Sequence, residues 1–206
     1  MVWLGSQHAE QTGPSVVAEG ILAATRIATP QGWVPAGDLV PGARVMTFDA
    51  GPQPVLRAQR LALSEGPAAL WPVLVPPWAL DNRDELTLLP EQKLLIEADL
   101  AEVLFGDPFA LLPAQALQGW RGITRCRPAA GSGVMQLQFA SPQIVYASRA
   151  VLLSCPGDTM EATDWHAPVH TPYTLAQARH LVACLMAEEA GAALRAAGQH
   201  LPGFIP

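Results

Sequence analysis

The chain has 206 residues, a formal net charge of −6 and a pI near 5.3, with 50% hydrophobic residues, 15% charged residues and 20 prolines. So apolar a composition can bury a sizeable core and excludes a disordered chain, while the frequent prolines exclude long helices over most of its length. The acidic balance argues against a nucleic-acid or anionic-membrane surface.

Met1 to Ala18 carries no hydrophobic period and contains Gly13-Pro14-Ser15, so 1–18 reads as a lead-in. It lacks a basic region followed by an apolar one, and no apolar run of about 18 residues follows anywhere; a secretory signal and a membrane span are not expected, and a cytoplasmic location is. Between Glu19 and Val55 the turn-forming pairs Pro30-Gln31-Gly32 and Pro41-Gly42 separate short apolar runs, predicting three strands in a β-rich opening. Pro54 to Leu63 predicts one strand covered on both faces, because its alternation is imperfect. Ser64 to Leu70 predicts a loop, and the proline-fenced run Val73-Leu74-Val75 predicts an edge strand. Val134 to Phe139, Ile144 to Ala147 and Val151 to Cys155 supply further strand-length apolar runs. Past Asp158 the character changes. Thr159 to Tyr173 is a polar, proline-broken connector, and Thr174-Leu175-Ala176-Gln177 is a capping-box pattern opening the one convincing helix, with Leu175, Ala178, Leu181, Val182 and Leu185 on one face and Gly198 as its stop.

The order of residues in the opening stretch resembles the start of a Hint domain, the self-processing module of hedgehog proteins and inteins, and most closely the bacterial hedgehog/intein type. The resemblance rests on Thr25-Arg26-Ile27-Ala28-Thr29-Pro30-Gln31-Gly32, on Asp38-Leu39-Val40-Pro41-Gly42-Ala43-Arg44-Val45 and on Gly51-Pro52-Gln53-Pro54-Val55. It implies a mainly β, Hint-like fold over 19–158, followed by a connector and C-terminal helix over 159–206. It also places a strand at Glu102–Phe105, followed by a connecting segment over Phe109–Pro113, and a closing hairpin after Val134.

What the resemblance implies about chemistry is set by a few positions. Where the family has its nucleophilic cysteine, five residues before Thr25, stands Gly20. The stretch Glu85 to Ile96 resembles the family's second motif, whose hydroxyl and histidine polarise the scissile carbonyl. Aligned on Pro90, Leu89 takes the hydroxyl position and Gln92 the histidine position. The histidines the family carries in its closing hairpin correspond to Gln136 and Pro142. Acyl-shift chemistry needs an attacking thiol or hydroxyl, an acid/base and oxyanion donors, so a degenerate autoprocessing site is the expectation. Independently of the family, no histidine lies between Gly20 and Pro156: His8, His166, His170, His180 and His200 are all outside it.

Other constellations are read as structural. Cys126, Cys155 and Cys184 are odd in number and widely spaced, which suits reduced core thiols. His166 and His170 stand four apart, but Pro168 between them breaks a shared helical face, and Cys155 or Asp164 are the nearest guesses at a third ligand; no metal site is expected, and these histidines are assigned to the surface or connector. Asp38 and Asp49 are turn residues, Glu85 and Glu91 solvated carboxylates. Trp33, Trp71, Trp78 and Trp120 are too irregular for a base-stacking platform. The expected function is a non-catalytic Hint-like binding or structural module with a protein partner, no cofactor, no nucleic acid and no membrane contact. The alternatives are an active autoprocessing protein using Ser15 or Thr25 as nucleophile, and an unrelated enzyme on a β scaffold, for which no constellation is found.

Overall fold

The computed structural model describes residues 17–129, 131–158 and 170–198. Fourteen short strands make up most of the regular structure: β1 (Ile21–Leu22), β2 (Arg26–Thr29), β3 (Gly32–Pro35), β4 (Arg44–Thr47), β5 (Gly51–Pro54), β6 (Arg57–Ala62), β7 (Val73–Val75), β8 (Leu86–Leu88), β9 (Lys93–Glu97), β10 (Phe109–Pro113), β11 (Thr124–Arg125), β12 (Gly133–Gln138), β13 (Gln143–Ala147) and β14 (Val151–Cys155). Two α-helices interrupt and close them, α1 (Asp99–Phe105) and α2 (Leu175–Gly198). The fold is thus mainly β with one long C-terminal helix, as expected.

The strands form three sheets. The largest runs β10-β9-β14-β13-β2-β3, with the β4–β5 hairpin attached through β13; a second runs β1-β12-β6 and a third β11-β7-β8. Gly32 at φ +120 closes the tight β2–β3 hairpin, a conformation L-residues rarely adopt. The core threads between the sheets: Ile27, Val45, Leu94, Leu112, Leu137, Val145 and Leu153 are essentially inaccessible.

Three sequence expectations are corrected. Glu102–Phe105 is not a strand but the end of α1, whose run Asp99-Leu-Ala-Glu-Val-Leu is rich in helix formers, begins with acids that complement the helix dipole and stops at Gly106 in the left-handed region, φ +84. Pro54–Leu63 is two elements, because Val55 and Leu56 leave the β4–β5 hairpin to bond Ala43 and Gln138, and the resulting β6 is mostly exposed rather than covered on both faces. Val73–Val75 is the central strand of its sheet: the flanking prolines lie outside it, so its N–H groups pair on both sides, with β8 and β11.

The capping box forms as its pattern predicts. Thr174 Oγ1 accepts from the Gln177 N–H at 3.3 Å, while Gln177 Oε1 accepts from the Thr174 N–H at 3.0 Å. Ala178, Leu181 and Val182 of α2 are buried in the shared core. Farther along, Glu189 accepts from Trp120 Nε1 at 3.1 Å and from Arg121 Nε at 2.9 Å. Ahead of the helix, the Tyr173 N–H donates to the Leu111 carbonyl at 2.9 Å, and the Tyr173 ring meets Phe105 edge-on at 4.7 Å. The chain around Pro172 thereby lies along β10, the last strand of the large sheet.

Candidate functional site

The sequence motifs converge where the chain enters the β domain. At this junction the Glu91 N–H donates to the Ala18 carbonyl at 2.9 Å, and Lys93 Nζ meets Glu19 Oε1 at 2.8 Å. Beyond it, β1 pairs with β12, Ile21 opposite Met135. The Glu19–Gly20 peptide is therefore held between the turn that precedes β9 and the strand β12, and Gly20, Leu89, Gln92 and Gln136 belong to these same elements.

Each of those positions has a definite structural state. Gly20 has φ +132, and a Cβ built on it would lie 2.5 Å from Val134 Cγ1, 3.2 Å from the Met135 carbonyl oxygen and 3.6 Å from Gln136 Cγ. The backbone conformation is one that L residues rarely adopt, and a side chain would fit only if Val134 shifted. Leu89 is fully buried, and its carbonyl accepts from the Gln92 N–H at 3.1 Å, closing the turn. Gln92 is 1% exposed; its Nε2 donates to the carbonyls of Lys93 and Ser154, each at 2.9 Å. Both amide hydrogens are committed, so the side chain pins the turn to β14.

Gly20 opens onto a cleft of about 570 Å³ lined by Glu19, Arg57, Gln59, Gln136, Gln138 and Pro156 among others. Gln59 and Gln136 are directly opposite across β6 and β12, as are Arg57 and Gln138. Gln138 Nε2 donates to the Gly157 carbonyl at 3.2 Å, and Arg57 approaches the buried Asp158 carboxylate at 3.8 Å. The lining is one of neutral amides with one guanidinium and one carboxylate. It can hydrogen-bond a peptide.

The nearby thiol is equally quiet. Cys155 ends β14 at 2% exposure, and burial first, then the Glu19 carboxylate, push its pKa from 9.0 up to about 12. A thiol so protonated is a poor nucleophile. Cys126 is also raised, by burial and then by Glu85. Sequence reasoning treated Cys155 as a core hydrophobe without placing it beside the junction; the alternation Val151, Leu153, Cys155 was the available signal for its inward direction. The contributions of Val134, Lys93 and Gln59 carried no signal, because they depend on cross-strand register.

Several candidates fall elsewhere. Thr25, weighed as a substitute nucleophile, is buried and lines a different cleft from Gly20. Ser15, His8, Asp164, His166 and His200 lie outside the described residues. His170 lies in the connector; its side chain is 8% exposed, sits against the rings of Phe48 and Phe109 with centroids 6.3 and 5.6 Å away, and has Nε2 3.5 Å from Asp49 Oδ1. The order of the sequence could not show this, since it depends on the C-terminal segment returning to the β4–β5 turn. Asp38, in the turn after β3, lines another cleft and is not paired with Asp49. Glu91 is half-buried and accepts from Gln115 Nε2 rather than standing free in solvent. Among the described residues no group of three or more His, Cys, Asp and Glu side chains is arranged to hold a metal, and no helix is long and apolar enough to cross a membrane.

A family model described as the Hint domain matches residues 20–156. Among solved structures the chain is similar to a bacterial intein-like domain from Clostridium thermocellum, at 13% identity and a TM-score of 0.46, over 66% of this chain and 97% of that one. It is also similar to a splice-inactive variant of the AceL NrdHF class 3 split intein, at 10% identity and a TM-score of 0.45, over 68% and 99% of the two chains. No curated protein matches it.

Proposed function

This chain belongs to the Hint domain family, and from that premise we propose that it is a member that no longer processes itself and serves as a binding or structural module through the cleft at the former scissile junction. The observation that carries this reading is the packing at Gly20. The position lacks a side chain, and Val134 occupies the volume where a nucleophile's Cβ would be. Restoring activity would thus require rebuilding the neighbour as well as the residue. Two further features support it: the amide of Gln92 is fully engaged in pinning the turn, and the thiol of Cys155 is held protonated. Family membership by itself carries the fold and not the activity.

Intact-mass spectrometry of the purified protein, followed for hours at neutral pH with and without an added thiol, tests the reading. A single unchanged mass is expected. A product pair split between Glu19 and Gly20 would overturn it. A second arm asks whether the scaffold alone retains competence. Gly20→Cys/Leu89→Thr/Gln92→His is expected to stay inert or fold poorly because the new Cβ meets Val134, and adding Val134→Ala relieves that contact.

A further inference from the structure

A second cleft, of about 510 Å³, lies away from the Gly20 junction, between the β2–β3 hairpin, the β13–β14 turn and the loop entering β8. Its lining includes Arg26, Trp33, Arg83 and Arg149, together with Asp84 and Glu85. Trp33 is 38% exposed. Arg26 is committed, since its Nη1 donates to the Trp33 carbonyl at 3.2 Å and braces that hairpin. Arg83 and Arg149 make no hydrogen bond or ion pair with any described residue, although two carboxylates share the cleft with them.

Both arginines stand on backbone that is held by hydrogen bonds. Arg149 and Ser148 form the β13–β14 turn with φ of +79 and +44, two successive non-glycine residues in the left-handed region. The Ser148 N–H is tied to the Arg26 carbonyl at 2.9 Å. Residues held in this region without glycine's freedom are strained, and such strain gathers at binding and catalytic positions. Arg83 follows Asn82, a completely buried amide that organises its loop. Asn82 Nδ2 donates to the carbonyls of Pro76 and Asp84 at 2.9 Å each, and its Oδ1 accepts from the Leu80 N–H at 2.9 Å. The guanidiniums are thus carried on two rigid supports facing one opening.

We propose that this cleft binds a small aromatic anion, with Arg83 and Arg149 holding a carboxylate or phosphate group and Trp33 stacking on the attached ring. A guanidinium presents a planar fork that matches either anion, and an exposed indole supplies a flat apolar face. Three arginines against two carboxylates leave a lining of formal charge +1. That balance suits a small anion rather than a polyanion such as a nucleic acid, in line with the chain's overall negative charge.

Calorimetric titration of the full chain with phenyl phosphate, benzoate, inorganic phosphate and benzyl alcohol tests the proposal. At least one of the two aryl anions is expected to bind with a dissociation constant below about 1 mM, and inorganic phosphate and benzyl alcohol at least about tenfold more weakly. Whichever aryl anion binds more tightly identifies the headgroup. Arg83→Gln and Arg149→Gly are each expected to weaken that binding about tenfold or more, and Arg149→Gly to raise Tm at the same time, because glycine relaxes the left-handed backbone. Trp33→Leu is expected to abolish the preference for the aryl anion over inorganic phosphate. Failure of both aryl anions to saturate overturns the proposal. So does equal binding of inorganic phosphate, or wild-type affinity in both arginine variants.

Discussion

The side-chain amide of Gln92 reaches across to the Ser154 carbonyl at 2.9 Å, joining the turn before β9 to the strand β14. The same nitrogen also serves the Lys93 carbonyl, so one buried side chain holds two backbone acceptors. Gln92→Ala is expected to destabilise the fold by about 2–4 kcal/mol, read by urea unfolding, since both carbonyls and a cavity would be left behind. Gln92→Glu should be more stable in acid than at neutral pH, because only the protonated carboxyl can donate. A Gln92→Ala variant with an unchanged midpoint would remove the structural role given to this residue.

For Cys155 the expected behaviour is chemical silence in the native state. Iodoacetamide labelling at pH 8 with peptide mapping should modify Cys184 and leave Cys155 untouched until denaturant is added. Its folded pKa, about 12, lies above its ordinary value of 9.0, so the unfolded chain gives up the proton first as pH rises. The contribution to stability is therefore complete below pH 9 and is lost progressively towards pH 12. Cys155→Ala should show a shallower fall over that window, measured as the difference between the two unfolding curves.

Helix α2 is an integral part of the fold through Leu181, which is fully buried, and Glu189, which receives Trp120 and Arg121. Leu181→Ala is expected to cost about 2–5 kcal/mol. Glu189→Gln, at a half-exposed contact, should cost about 1 kcal/mol or less. Equal effects of the two in thermal unfolding would contradict the assignment of docking energy to burial.

His170 is buried with neither ring nitrogen hydrogen-bonded among the described residues. Orphaned buried polar atoms cost about 1–3 kcal/mol each. His170→Phe keeps the ring against Phe48 and Phe109 and removes both nitrogens. An increase in Tm is expected at neutral pH; a marked decrease would mean that the 3.5 Å approach to Asp49 stabilises the native state.

Much of the fold was legible because it is written in short-range signals. The turn at Pro30-Gln31-Gly32 dictated the β2–β3 hairpin, and the reciprocal Thr174–Gln177 pair dictated where α2 begins. The helix at 99–105 was missed because the strand at Glu102–Phe105 was carried over from the family resemblance, whereas the local signals, helix formers from Asp99 and a left-handed Gly106, mark a helix. At the candidate site, order along the chain singled out Gly20, Leu89 and Gln92. It could not show that Val134 fills the space beside Gly20 or that Arg83 and Arg149 face one opening, because both depend on strands and loops far apart in sequence.

The stretch at Pro172 and Tyr173 lies along β10, where the large sheet would otherwise end in an open row of backbone donors and acceptors. Proline lacks an N–H, so the added segment caps the edge without offering a full new template of its own. At Leu111, therefore, the edge of β10 is already occupied. A fragment ending at Asp158 would keep every strand of the β domain yet expose the margin of β10 and the apolar surface beneath Leu181. Its expected fate is oligomers or precipitate rather than a smaller monomer, which light scattering would reveal.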